Sequence, residues 1–165
     1  MRPPPPQPKS GSPGKAPSRG GRRALAPGAG PHYPPSAIEP GFDLSRVQAA
    51  VASDRLSLGQ KRCLEHLLPL LKTLMGCRRF AADVIGCLRP SDFSRRVRIG
   101  AVEHDEYGVA LPRALRQRHG LVGQETWYVK FSLRPGPDGE EIHLISLHAL
   151  ERAMLRVGGR LVPSG

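Results

Sequence analysis

The spacing of apolar residues changes once along this chain, near Arg98, from a helical period to an alternation of every second residue. Leu44, Val47 and Val51 recur at helical spacing, and Asp43 or Ser45 in front of them can cap a helix N-terminus. The Leu-rich stretch from Leu56 to Leu74 is also helical in period, so Pro69 must kink it or begin a new helix there. A third helix is predicted over about Cys77 to Leu88; it buries Phe80, Ala81, Val84, Ile85 and Leu88 and stops at Pro90.

After Arg98 the pattern is that of strands. Thr126 to Leu133 alternates, so Trp127, Val129, Phe131 and Leu133 face a core while Thr126, Tyr128, Lys130 and Ser132 line the opposite side. Pro135 to Gly139 is turn chemistry and Glu141 to His148 is a second apolar-rich strand, which predicts an antiparallel hairpin. Val97 to Glu103 and Tyr107 to Leu111 are weaker strand candidates. Helices followed by strands predict an α+β fold, with the helices packed on one face of a small antiparallel sheet.

Composition adds boundaries. Residues 1–40 hold 12 of the 18 prolines and six basic residues but a single acid, Glu39, and have little to bury. That segment reads as a disordered tail, either an RNA-gripping arm or a dispensable extension. The folded domain is expected over 41–157, with 158–165 as a flexible C-terminus. Net charge is +11, and beyond the tail 19 basic residues still outnumber 13 acidic ones. Such a surface attracts polyanions, with RNA, DNA or an acidic protein as the candidate partners.

No apolar run approaches the roughly 20 residues that cross a bilayer, so a membrane partner is not expected and the cytoplasm is the expected location. Cys63, Cys77 and Cys87 are odd in number and lack a C-x-x-C pair, and so read as reduced, mostly buried residues. Neither a nucleotide-binding glycine motif nor a metal-protease histidine pair occurs, so no cofactor and no metal are expected.

Several short strings, in a shared order, resemble the MqsR (motility quorum-sensing regulator) family of toxins. They are Leu44-Ser45-Arg46-Val47, Val84-Ile85-Gly86-Cys87-Leu88 followed by Ser91-Asp92-Phe93, Tyr128-Val129-Lys130 and Leu144-Ile145-Ser146-Leu147. The resemblance spans about Leu44 to Glu151. It implies a RelE-like sheet backed by helices, a metal-free endoribonuclease acting on messenger RNA, and a cognate antitoxin that silences it. Members carry a Lys after the Asp-Phe pair, a Gln two elements on, a Tyr on the first hairpin strand and a Lys ending the last strand. Those positions fall here on Arg95, His104, Tyr128 and His148, so the tyrosine alone is kept. This chain also lengthens the segment around Leu111 to Gly123 and the loop at Arg134 to Glu140.

The substituted set still suits cleavage of single-stranded RNA by its own 2′-hydroxyl. That reaction needs a base, an acid and cations around the phosphorane. His104 and His148 can exchange protons near neutral pH. Arg95, Arg96 and Arg98 can hold phosphate oxygens, with Tyr128 and Lys130 on the polar side of their strand. Two other readings compete. Glu106 to Leu133, through Tyr107 to Arg113, Leu115-Arg116 and Gly120-Leu121, resembles the looped-hinge hairpin of AbrB/MazE-type DNA-binding regulators, which would bury the strand of Tyr128 at a subunit interface. A catalytically degenerate toxin-like module would keep RNA or protein binding alone.

Overall fold

Asp43 starts the first helix, α1 (Leu44–Ala52), by accepting a hydrogen bond from the Ser45 backbone N–H at 2.9 Å, and Val47, Ala50 and Val51 are its buried stripe. The structure, a computed structural model, describes residues 41–165, and the disordered-tail expectation for 1–40 lies outside the described residues. Immediately after α1 the expected long helix gives way. Leu56–Arg62 is a strand, β1, and only Leu64–Leu71 is helical, as α2. Leu56 and Leu58 are two residues apart, Ser57 and Gly59 are poor helix formers, and a neighbouring strand supplies the backbone partners. Pro69 lies inside α2 without starting a helix; the break comes at Lys72, in the left-handed region with φ 67°. Thr73 then caps α3 (Leu74–Cys87) by accepting from the Gly76 N–H at 2.9 Å.

A single turn at Pro90–Asp92 leads into β2 (Phe93–Ile99) and β3 (Val102–Ala110). The turn between them sits at Gly100, with φ 61°, so the strand expected over Val97 to Glu103 is in fact split across a hairpin. Helix α4 (Arg113–Arg118) occupies the lengthened segment and anchors it to the core through Leu115 and Leu121. It precedes β4 (Thr126–Gly136) and β5 (Gly139–Ala149), whose ladder continues to a Gly136–Gly139 pair. The expected longer loop is therefore a two-residue turn, made possible by Gly139 at φ 115°.

These strands form one sheet in the order β1-β5-β4-β3-β2. Four are antiparallel neighbours, but β1 runs parallel to β5, with Leu56 opposite Ile142 and Leu58 opposite Leu144. The sheet is thus mixed, and the described fold is α+β, with five sheet strands and four helices. One face carries the core: Trp127, Val129 and Phe131 are fully buried, and Phe80 of α3 meets Trp127 edge to face at 4.9 Å between centroids. Leu133, on the same side, is half-buried against that cluster.

The segment 158–165, expected to be flexible, contributes a strand and several contacts to the rest of the chain. Met154–Arg156 (β6) pairs with Gly159–Leu161 (β7) in a separate hairpin over Gly108 of β3. Arg156 fixes it by donating to the Gly108 carbonyl and the Asp92 carboxylate, each at 2.9 Å. Leu161 is buried, and the Ser164 hydroxyl accepts from the Glu125 and Thr126 N–H groups. Most of the contacts of this segment are polar and reach residues distant in sequence. Among the described residues no helix is long and apolar enough to cross a membrane.

Candidate active site

On the sheet face away from the core, β4 presents Tyr128 and Lys130, and the register sets them beside Gly108 and Glu106 of β3. Across the other edge, Tyr128 is opposite His148 and Lys130 opposite Ser146 of β5. Arg95 of β2 completes the row opposite Glu106. Alternation puts Tyr128 and Lys130 on this side, and a register irregularity between Phe93 and Arg95 in β2 turns Arg95 to the same side, opposite Glu106.

Glu106 is the hub. Its side chain is 7% exposed, accepts from Arg95 Nε at 2.8 Å and lies 3.2 Å from Lys130 Nζ. The Tyr128 hydroxyl donates to it as well. Burial by itself would raise the Glu106 pKa, but the bonds from Arg95 and Tyr128 and the charges of Arg95 and Lys130 hold it below the ordinary glutamate value. Tyr128 moves the other way: burial, then the Glu106 carboxylate, push its hydroxyl well above the usual range, so it remains a proton donor.

Beside this hub runs a stack of three rings. Tyr128 lies on His148 with centroids 5.2 Å apart and planes 30° apart, and His148 meets His66 of α2 at 5.2 Å and 36°. His148 is buried and its Nδ1 lies 2.9 Å from the Ala149 carbonyl oxygen, with the Glu151 carboxylate at 3.8 Å. A proton on Nδ1 is donated to the Ala149 carbonyl and leaves Nε2 as the acceptor nitrogen. His66 is exposed, and Arg62, at the end of β1, stands opposite Ser146. The positive charge of Arg62 reaches the Tyr128 hydroxyl.

The structure gathers Tyr128, Arg95, Lys130 and His148 into one site. It does not bring Arg96 and Arg98 there. They sit on the other side of β2, where Arg96 bonds Asp105 at 2.9 Å, Glu103 bridges both arginines, and the Arg96 guanidinium lies 4.3 Å over the Phe42 ring. Alternation along β2 separates them from the row of Arg95, Lys130 and Tyr128 that they were expected to join. His104 shares the face with Glu106 but lies farther along it, 3% exposed and opposite Val97. Burial first, then the charges of Lys130 and Arg134, lower its proton affinity.

Glu106, His66 and Arg62 were missed by sequence reasoning. The run Glu103-His104-Asp105-Glu106 has the composition of a turn, yet it is the middle of β3, because Arg96 and Arg95 stand directly opposite Asp105 and Glu106. His66 and Arg62 lay inside the segment read as one helix, which offers no sign that its start lies beside β5. Among the described residues no three of His, Cys, Asp and Glu converge as a metal-holding group. Cys63 and Cys77 are buried, and burial pushes the Cys63 thiol up to about 12. No protein-family model matches this chain, and no curated protein matches it.

Proposed function

We propose that this chain is a metal-independent endoribonuclease that cuts single-stranded messenger RNA, the toxin of a type II toxin–antitoxin pair with a RelE-like arrangement of sheet and helices. It acts in the cytoplasm, takes no cofactor, and is silenced by a cognate antitoxin. One observation carries the reading: Tyr128 and His148 are stacked beside a carboxylate that also aligns Arg95 and Lys130.

In this reading the RNA phosphate lies over Lys130 and Arg95, whose charges stabilise the phosphorane. His148 takes the proton of the 2′-hydroxyl at Nε2, and the resulting imidazolium is stabilised by the Ala149 carbonyl and the Glu151 carboxylate. The 2′-oxygen bonds to phosphorus, the P–O5′ bond breaks, and His66 gives its proton to the departing 5′-oxygen. Glu106 is a positioning residue that holds the cations and the Tyr128 hydroxyl. Tyr128 buttresses the base through its ring. The placement of Tyr128 beside Arg95, Lys130 and His148 supports this reading over the looped-hinge regulator, which needs that strand at a subunit interface.

The test is cleavage of end-labelled single-stranded RNA by the full-length protein in EDTA. The expected products carry a 2′,3′-cyclic phosphate and a 5′-hydroxyl. Intact RNA after long incubation with folded protein overturns the reading.

A further inference from the structure

The same sheet face continues beyond Lys130. Ser132 and Arg134 are the next residues of β4 on that side, so Tyr128, Lys130, Ser132 and Arg134 form a row with a step of about 6.6–6.8 Å. That step is comparable with the distance between successive phosphates of an extended RNA strand. Arg134 is exposed and donates through Nε to the buried Ser132 hydroxyl at 3.0 Å, which fixes the direction of its guanidinium. On β5, His143 is opposite Ser132, and its Nδ1 lies 2.8 Å from the Ser57 hydroxyl of β1. On β3, His104 is buried, bonds the Val102 backbone carbonyl, and leaves Nδ1 with no hydrogen-bond partner. Buried polar atoms without a partner are uncommon in folded proteins, and they concentrate where a ligand completes the set.

The proposed reaction uses none of these groups. Burial and then Arg134 lower the proton affinity of His143, while Glu141 acts in the opposite sense. His104 is lowered by burial and then by Lys130 and Arg134. Burial, and after it neighbouring cations, disfavour the charged form of both histidines, so the group gains from an arriving anion. Resting on the nuclease reading, we propose that His104, Ser132, Arg134 and His143 form a backbone subsite that grips the RNA chain one to two nucleotides from the bond that is cut. Arg134 is the phosphate ligand, and His104, buried within reach of the Arg134 charge, is a positioning residue. A flexible strand laid along β4 then crosses Lys130 and Arg134 in turn, which orients it over the stacked rings.

Binding of fluorescent single-stranded deoxyoligonucleotides tests this without relying on cleavage, because DNA lacks the 2′-hydroxyl. A trimer, which fills only the stacked-ring site, and a nonamer are titrated against the full chain and against Arg134→Ala and His104→Asn. Arg134→Ala should weaken the nonamer about tenfold, reduce its salt slope by about one, and leave the trimer unchanged. His104→Asn should weaken the nonamer alone. Arg134→Lys, which keeps the charge, should recover most of the affinity lost in Arg134→Ala. Equal losses at both lengths, no loss at either, or no binding of either would overturn the subsite. A length-dependent loss in a protein that leaves RNA intact would retain the track and remove the nuclease reading instead.

Discussion

Tyr128 and His148 face each other across β4 and β5 with their rings stacked 5.2 Å apart, while the Tyr128 hydroxyl is bound by Glu106. The ring and the hydroxyl therefore have separate partners and separable effects. The ring fixes the orientation of the imidazole, and the hydroxyl helps hold a carboxylate that is also bound by two cations.

Tyr128→Phe keeps the ring and should slow RNA cleavage by about tenfold, whereas Tyr128→Ala, which frees His148, should slow it by about a hundredfold. The Phe variant loses one hydrogen bond to a charged group and about 1.5 kcal/mol of stability, measurable by urea unfolding. Equal rates in the two variants would mean that the stack does not position the base.

Glu106→Gln removes the charge that aligns Arg95 and Lys130. Cleavage should fall by about a hundredfold while RNA binds more tightly, since two cations lose their internal partner. Stability should drop by about 2 kcal/mol, because the amide cannot satisfy both cations and the hydroxyl. Single-turnover rates beside equilibrium titrations separate the two effects, and weaker binding would contradict the assignment of Glu106 as positioning residue.

His104 and His143 both hold their proton less readily in the folded chain than in the unfolded one. The folded state therefore binds fewer protons below the unfolded histidine value. Their contribution to stability is full above about pH 6.5 and is lost as the pH falls through the lowered folded values. Unfolding free energy should decline as the pH falls below about 6.5, and His104→Asn with His143→Asn should flatten that decline. An unchanged slope in the double variant would show that the loss originates elsewhere.

Arg156 and Asp92 form an ion pair with side chains 14% and 12% exposed, and it ties β6 to the turn before β2. Arg156→Met should cost about 3 kcal/mol, because Asp92 and the Gly108 carbonyl lose a buried donor. Hydrogen exchange should rise first in residues 154–161, ahead of β4 and β5.

What the sequence settled by itself was whatever depends on local spacing. Trp127, Val129 and Phe131 alternate and so occupy one face; Val47 and Val51 recur at helical spacing behind Asp43; Val84 and Ile85 belong to a buried helical stripe. That alternation also put Tyr128 and Lys130 together on the polar side. Tertiary structure decided everything that depends on a partner distant in sequence. Leu56–Arg62 is a strand because β5 lies beside it, and that pairing brings the start of α2, with His66, next to His148. Asp105 and Glu106 are buried because Arg96 and Arg95 stand across from them, and one residue of register sends those two pairs to opposite faces of the sheet. A charged run is indistinguishable from a turn until its counterions are in place, since burying a carboxylate is favourable only when cations and hydrogen bonds replace the water it loses.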